Sequence, residues 1–210
     1  MSVSAQLFVA MQSKSAQWYE KEREGIALIE GFETALNACR AELDASAPAV
    51  AAAGSAASSG NGGARFSLAS LSGLGGNSQM DPLLAEELFA QVKALKSGFA
   101  GLLQDMCDLQ LRARQAVLDA SRASSEKAVE PLPLPALAPI DYYQFIGHEL
   151  AAYEAEYQHV EALLDMISFT ITTDQLRTLV ISWSTSPFLD PEQSRAFRKR
   201  HELATSGAAA

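Results

Sequence analysis

Residues 141–164, DYYQFIGHELAAYEAEYQHVEALL, concentrate side chains that bind metals or move protons, with two of the chain's three histidines and five carboxylates. His148 and Glu149 supply the first two letters of the His-Glu-x-x-His pattern, in which two histidines four residues apart bind one zinc ion. The second histidine position holds Ala152. His159 lies eleven residues after His148, which on a helix is about 16 Å along the axis, whereas zinc–nitrogen bonds are about 2 Å long. The spacing predicts no metal site here.

The acidic residues of the same segment lie beside an apolar row. If Tyr143 is heptad position a, Glu149 and Glu156 occupy position g, and Glu154 and Glu161 occupy position e. These positions flank the apolar seam of a coiled coil and help to select its partners. Paired carboxylates also serve in acid–base catalysis, but the sequence indicates no pocket around them. The pattern therefore favours a solvated or partner-facing helix surface over an active site.

The composition is typical of a helical protein without enzyme motifs. Hydrophobic residues make up 48% of the 210 residues and aromatic residues only 8%, a mix that favours long helices over sheets. The net charge of −9 disfavours general binding to a nucleic-acid backbone. Arg195, Arg198, Lys199 and Arg200 form the one basic cluster, which is expected to be a solvated helix face rather than a targeting or anionic-surface patch. With no phosphate-binding loop or nucleophile motif, we expect neither an enzyme nor a cofactor.

Cysteine use and hydropathy bear on the compartment. Cys39 and Cys107 lie far apart without metal-ligand spacing, on apolar rows. They are expected to be reduced core thiols of an intracellular protein. The N-terminus shows no signal-peptide pattern, and no apolar run approaches the roughly 20 residues that span a bilayer. We therefore expect no membrane insertion.

Hydrophobic periodicity predicts an all-α protein of long coiled-coil helices joined by a Gly/Ser/Ala-rich linker and a Pro-rich break. The clearest indication is in the second helix, where ten apolar residues from Leu88 to Ala120 alternate in steps of four and three. Such a seam is typical of a coiled coil, and its unusual width indicates three or more packed helices. The predicted segments are a coiled-coil helix at 1–45, a flexible linker at 46–80, a long coiled-coil helix at 81–123, a Pro-rich linker at 124–140, a third coiled-coil segment at 141–183 with a fresh cap at TTDQL, and a short charged helix with a disordered tail at 184–210.

The apolar side chains of the three seams are predicted to form the interface with partner helices. All of them share the heptad spacing. They are Ile29, Phe32, Leu36, Leu88, Val92, Leu95, Phe99, Leu102, Met106, Leu109, Tyr143, Ile146, Leu150, Tyr153, Tyr157, Val160, Leu164 and Ile167.

The order of these segments carries a family resemblance over about 81–183. The layout consists of a long heptad helix, a proline-rich break, the stretch APIDYYQFIGHELAAYEAEYQHVEALLDMI and then ITTDQL. This layout resembles the nucleoporin 58/45 family. Members of this family start their third coiled-coil segment with a proline, a short spacer and an Asp-Tyr-aromatic triplet. Pro139, Asp141, Tyr142 and Tyr143 match that start. In the family a phenylalanine, a tyrosine and an acid-rich helix come next. The matching residues here are Phe145, Tyr153 and the acidic run from Glu154 to Glu161.

The resemblance implies a structural subunit of the nuclear pore complex, in the nuclear envelope, that supports nucleocytoplasmic transport of protein and mRNA. The expected partners are the nucleoporin 54 and nucleoporin 62 families, in a parallel heterotrimer attached to the inner-ring scaffold, without direct nucleic-acid contact. Two features depart from the family. None of the nine phenylalanines precedes a glycine, so the Phe-Gly repeats that bind transport receptors are missing, and STSPFLDPEQ after Trp183 interrupts a helix that continues in the family.

Two alternatives to this interpretation stay open. The first is a coiled-coil scaffold subunit of another intracellular assembly, such as a tethering or cytoskeletal complex. The second is a self-contained helical bundle with an enzymatic site that the sequence does not reveal. Co-purification from cells separates the first alternative from a pore subunit, and a compact monomer in solution would favour the second.

Overall fold

A computed structural model of the chain describes residues 2–53, 83–124 and 137–206, with the side chains of 46–53 and 124 excepted. Within these ranges the chain forms five helices and no strands, and the all-α prediction is confirmed. The helices are α1 (Val3–Ala53), α2 (Leu83–Ser124), α3 (Pro139–Met166), α4 (Thr173–Ser184) and α5 (Pro191–Ser206). The expected linker residues 54–80, most of the Pro-rich break and the last four residues of the expected tail lie outside the described residues.

The first three helices pack as an up–down–up arrangement. Antiparallel packing of α1 on α2 brings Lys14 Nζ within 2.7 Å of Asp105 Oδ2 and, at the other end, Phe32 against Phe89. Antiparallel packing of α2 on α3 places Lys96 Nζ 3.1 Å from Glu161 Oε1 and, at the other end, Gln110 beside Gly147. Helices α1 and α3 therefore run in the same direction, with α2 packed against both.

Helices α4 and α5 together form the fourth helical layer. Helix α4 runs back along α1, where Arg177 pairs with Glu33 and Thr173 with Asn37. Helix α5 continues in the same direction further along α1, where Arg198 donates a hydrogen bond to Gln12. The chain is therefore an up–down–up–down four-helix bundle whose fourth member is interrupted at residues 185–190.

The start of α4 is set by local capping chemistry. Helix α4 starts where TTDQL predicts a cap: Thr172 Oγ1 accepts a hydrogen bond from the Gln175 backbone N–H, and Gln175 Oε1 accepts one from the Thr172 N–H, forming a capping box. The predicted segment at 141–183 is consequently two helices. Helix α1 extends to Ala53, beyond its predicted end at residue 45.

The seam residues form the core of this single chain. Of the eighteen residues predicted to meet partner helices, fifteen are buried in one continuous cluster, and Leu88, Tyr143 and Tyr157 are partly buried against it. The chain's own antiparallel helices supply the facing apolar rows that partner chains supply in a coiled-coil assembly. Contact with partner chains through these residues stays a prediction, since in this fold they are already covered.

An aromatic cluster at mid-height joins all four layers, and its α3 member is Tyr153, whose ring lies 5.1 Å from that of Trp18. The Phe99 ring of α2 packs at 4.7 Å from the Trp18 ring of α1 and at 5.9 Å from the Trp183 ring of α4. Gly25 permits this approach, since a Cβ at that position would lie 2.5 Å from Cη2 of Trp183. The close crossing of α1 and α4 therefore depends on the absence of a side chain at this position.

Candidate functional site

Three glutamates are buried beneath the fourth helical layer. Glu22 of α1 and Glu149 of α3 are each 6% exposed, and Glu156 of α3 is 1% exposed. The predicted solvated or partner-facing surface is therefore wrong for the two position-g acids of α3, which face the chain's own interior. At position e, Glu154 is exposed and Glu161 half-buried, in line with the prediction.

Each buried carboxyl accepts one hydrogen bond from the connection between α4 and α5 or from the first turn of α5. The pairs are Ser186 Oγ with Glu22 Oε1 at 2.6 Å, the Phe188 backbone N–H with Glu156 Oε2 at 3.1 Å, and Ser194 Oγ with Glu149 Oε1 at 2.5 Å. We call these three glutamates and their three donors the buried glutamate layer. A stretch of nine residues therefore serves carboxyls on two different helices.

Burial raises the pKa of all three glutamates because it penalises the charged form. For Glu22 the bond from Ser186 opposes this rise, and for Glu149 the bond from Ser194 does the same. For Glu156 the Phe188 amide opposes burial, and the nearby Glu22 adds to the rise. The donors are two hydroxyls and one amide, all neutral, so they stabilise the carboxylate form less than an arginine or lysine does.

Glu156 is the least satisfied member of the layer. Its Oε1 atom is buried and has no hydrogen-bond partner among the described residues. His159, one turn further along α3, favours the carboxylate electrostatically, but its ring bonds Ser182 at 3.4 Å and packs on Phe188. A buried acceptor without a donor is costly, which again favours the protonated carboxyl.

A hydroxyl chain continues the polar layer toward the amino-terminal end of α1. The Tyr153 hydroxyl lies near the side chains of Ser15 and Tyr19, and Ser15 Oγ donates a hydrogen bond to the Met11 carbonyl at 3.1 Å. Burial raises the pKa of both Tyr153 and Tyr19. At neutral pH these phenols are hydrogen-bond donors, not bases.

A cavity of about 210 Å³ borders this chain of hydroxyls. It is smaller than the roughly 300 Å³ at which pockets for drug-sized ligands begin. None of the three buried glutamates lines it. The lining residues are Gln12, Ser15, Tyr19, Tyr153, Pro191, Ser194, Arg195 and Arg198. The arrangement suits a structural polar layer with raised carboxyl pKa values better than a substrate pocket.

Ser186 sits at the interruption with a backbone φ of 39°. This left-handed region favours glycine, and a serine there is held at a conformational cost. The N–H of Ser186 donates to the Trp183 carbonyl at 3.0 Å and its carbonyl accepts from Leu189 at 3.1 Å. Glycine would fit this backbone better but would leave Glu22 without its hydroxyl donor.

A separate aromatic cluster holds α5 against the amino-terminal ends of α1 and α3. We call it the α5 cluster, and its members are Phe8, Tyr142, Phe145, Phe197 and His201. The rings of Phe145 and Phe197 stack at 4.1 Å with an angle of 13°, and the Tyr142 hydroxyl lies 2.9 Å from His201 Nδ1. Sequence reasoning missed this cluster because Tyr142 and Phe145 lie off the a and d rows. The one available signal was a lone phenylalanine in an otherwise charged helix.

The remaining candidate residues lie apart from one another. His148 is exposed and His159 half-buried, and Arg195, Arg198, Lys199 and Arg200 are exposed as predicted. Cys39 is buried, Cys107 is half-buried, and both are free thiols. In the part of the chain that the structure describes, no three His, Cys, Asp or Glu side chains are grouped so as to hold a metal ion.

Comparisons of the chain with protein-family models, with curated proteins and with solved structures find no match. Among the described helices, none combines the length and the apolar character needed to cross a bilayer.

Proposed function

We propose that this chain is a structural coiled-coil subunit of the nuclear pore central channel. It would support nucleocytoplasmic transport through hetero-oligomeric assembly with the nucleoporin 54 and nucleoporin 62 families, attached to the inner-ring scaffold. The proposal rests on the resemblance of residues 81–183 to the nucleoporin 58/45 family. An alternative role is that of a coiled-coil scaffold subunit in another intracellular tethering or cytoskeletal complex.

One observation carries the proposal: the motif behind the resemblance works as a helix start. Pro139 is the first residue of α3, where its fixed φ and missing donor do no harm. The Asp141 carboxylate accepts a hydrogen bond of 2.8 Å from the Ala138 backbone N–H. Pro-x-Asp-Tyr therefore begins a long helix here, as the corresponding motif begins the third coiled-coil segment of the family.

The length and packing of α2 also support a scaffold role. This helix runs for 42 residues without interruption, about 60 Å at 1.5 Å per residue. Its a and d residues from Val92 to Ala113 are buried against neighbouring helices. Joining partners through those residues requires α2 to exchange contacts within the chain for equivalent contacts with partner helices.

Affinity purification of the tagged full-length chain from its own cells tests the proposal. We expect members of the nucleoporin 54 and 62 families to co-purify in amounts comparable to the tagged chain. Leu102→Asp places a charge at a buried position of α2 and should abolish recovery, whereas Leu111→Asp, at a position 59% exposed on the same helix, should not. A reproducible set of partners without these nucleoporins would overturn the proposal and favour the alternative complex.

A further inference from the structure

The cavity of about 210 Å³ that borders the hydroxyl chain is built by three helices. Helix α1 contributes Gln12, Ser15 and Tyr19, and helix α3 contributes Tyr153. The first two turns of α5 form the remaining wall. Ser15 is 8% exposed and Tyr153 2% exposed, so polar side chains that are well buried in the fold line this space. A molecule bound there contacts all three helices.

The side chains around this cavity offer more hydrogen-bond donors than acceptors. The Gln12 Oε1 atom accepts a bond from Arg198, whereas Gln12 Nε2 is buried and has no partner among the described residues. Burial raises the pKa of Tyr19 and of Tyr153, so both phenols keep their protons at neutral pH and remain donors. Buried polar atoms are nearly always paired in native proteins. The unpaired amide therefore indicates an acceptor that belongs in the adjoining cavity.

The charge at this cavity is positive although the chain as a whole is acidic. Arg195 and Arg198 line it, and no lining residue is a glutamate or an aspartate. Two acids lie next to it, where Glu192 pairs with Arg195 at 2.6 Å and Glu149 accepts the Ser194 hydroxyl. Burial raises the pKa of Glu149, which favours its neutral form and weakens its repulsion of an anion. Within the described residues, Arg198 has no carboxylate at ion-pair distance, so its charge is available.

We propose that this cavity binds a small oxyanion, either inorganic phosphate or a short carboxylic acid, through Arg198, the Gln12 amide and the two phenols. A guanidinium group matches the oxygen spacing of both kinds of anion. The cavity is too small for the drug-sized ligands whose pockets begin at roughly 300 Å³, which limits the ligand to a few heavy atoms. The site goes beyond the proposed scaffold role, because its ligand is a small molecule and not a partner helix.

Isothermal titration calorimetry of the full-length chain tests the site, with inorganic phosphate in one arm and succinate in the other. Sodium chloride keeps the ionic strength constant, because attraction of anions to exposed charges is screened by salt. One binding site per chain at millimolar or lower concentration is expected for at least one of the two anions. The tighter of the two identifies the anion class, and binding of neither would overturn the proposal.

A pair of charge-removing variants on α5 separates the cavity from general attraction to a basic helix. Arg198→Gln should weaken binding about tenfold or more, because it removes a charge-assisted bond to the ligand. Lys199→Gln is the matched control, since it removes the same charge from the next residue, which is exposed and does not line the cavity. Its binding should stay within about twofold of the native value. Equal losses in both variants would show non-specific attraction and contradict the site.

Hydrogen exchange locates the bound anion. Saturating ligand should slow exchange at 191–206, because binding stabilises the state in which α5 closes the cavity, and should leave 92–106 unchanged. If Arg198→Gln loosens α5 without ligand, Arg195→Gln and Tyr19→Phe replace it, since neither side chain makes the bond to Gln12. Each should weaken binding at least threefold. Native affinity in both replacement variants, or binding without slower exchange at 191–206, would place the anion elsewhere and overturn the proposal.

Discussion

The two sides of the bundle interior differ in chemistry although both are built on α1 and α3. On the side of α2 the interior is apolar, with Val92, Phe99 and Met106 fully buried. On the side of α4 and α5 it holds the buried glutamate layer beside buried apolar residues of α4 such as Leu176 and Trp183. Apolar rows pack with almost any apolar neighbour, whereas a buried carboxyl requires a donor at one position. The glutamate layer therefore specifies which segment covers the second side and in which register.

The contrast also explains why the fourth layer is interrupted. A continuous helix uses its backbone N–H groups internally and has none to offer to Glu156. The interruption frees the Phe188 amide for this carboxyl and turns Ser186 toward Glu22. Discontinuity in the fourth layer and polarity in the layer beneath it are thus two aspects of one arrangement.

The largest effect is expected from removing bulk on the apolar side. Phe99→Ala should lower the free energy of unfolding by about 3–5 kcal/mol, because it deletes a fully buried ring and leaves a cavity between two tryptophans. Urea denaturation monitored by circular dichroism measures this. Leu111→Ala, at an exposed position of the same helix, should change the free energy by less than about 0.5 kcal/mol. A loss below about 1 kcal/mol for Phe99→Ala would show that the two sides do not differ as described.

The buried glutamates should make the free energy of unfolding depend on pH. Since burial raises the carboxyl pKa values of Glu22, Glu149 and Glu156, the folded state keeps their protons to a higher pH than the unfolded state does. Their contribution to stability is complete below the unfolded pKa and is lost as pH rises through the folded values. The native chain should therefore become less stable from pH 4.5 to pH 8.

Replacing all three with glutamine keeps each acceptor oxygen and removes the titration. The fall in the free energy of unfolding between pH 4.5 and pH 8 should shrink by on the order of 3 kcal/mol, because the three incompletely paired carboxylates are gone. Denaturant titrations at several pH values measure this slope. Glu154→Gln, at an exposed position of α3, should leave it unchanged. An equal slope in the triple variant and the native chain would place these carboxyls in contact with water.

The close approach of α1 and α4 at Gly25 offers a test with a smaller expected effect. Gly25→Ala should destabilise the fold by about 1–3 kcal/mol, because the added methyl group meets Trp183 and Leu95 in a filled space. Gly101→Ala has nothing within 4 Å and should stabilise the chain by about 0.5–1 kcal/mol through helix propensity. Thermal unfolding compares the pair, and a stabilised Gly25→Ala variant would contradict the close approach of α4.

The smallest expected effect is at the start of the fourth layer. Thr172→Ala removes the side-chain half of the capping box and should cost about 1 kcal/mol, mainly by fraying α4. Thr170→Ala, two residues earlier and outside the cap, is the control. Hydrogen exchange at 173–179 measures the fraying. Protection equal to that of the native chain would show that packing of Leu176 and Trp183 alone holds α4.

The sequence was sufficient for the helices and their apolar faces, because the four–three spacing from Leu88 onward fits no other secondary structure. It was also sufficient for the cap at Thr172. It did not show that the seams close on themselves, since a heptad row has the same pattern whether its neighbour belongs to the same chain or to another. Fifteen of the eighteen seam residues accordingly lie in a core formed within one chain, and the other three pack against it.

The buried acids escaped prediction for a related reason. The heptad pattern puts Glu149 and Glu156 at position g. This position is exposed to solvent when a helix has only one buried seam. In a four-helix bundle each helix meets two neighbours, so a second strip is buried as well. The donors for these acids stand about thirty to forty-five residues further along the chain, in a segment whose prolines and serines indicated only an interruption.

The interruption between α4 and α5 also decides how the molecule unfolds under mechanical force. Tension applied along the chain beyond Ser206 first reaches α5, whose two buried side chains offer modest resistance. The load next reaches residues 185–190, where Ser186 and Phe188 donate hydrogen bonds to the buried Glu22 and Glu156. The load then meets Trp183, which sits fully covered among Trp18 and Phe99. The bundle should therefore unfold under force in two steps of unequal force. The first step detaches α5 and lengthens the chain while α1, α2, α3 and α4 stay packed.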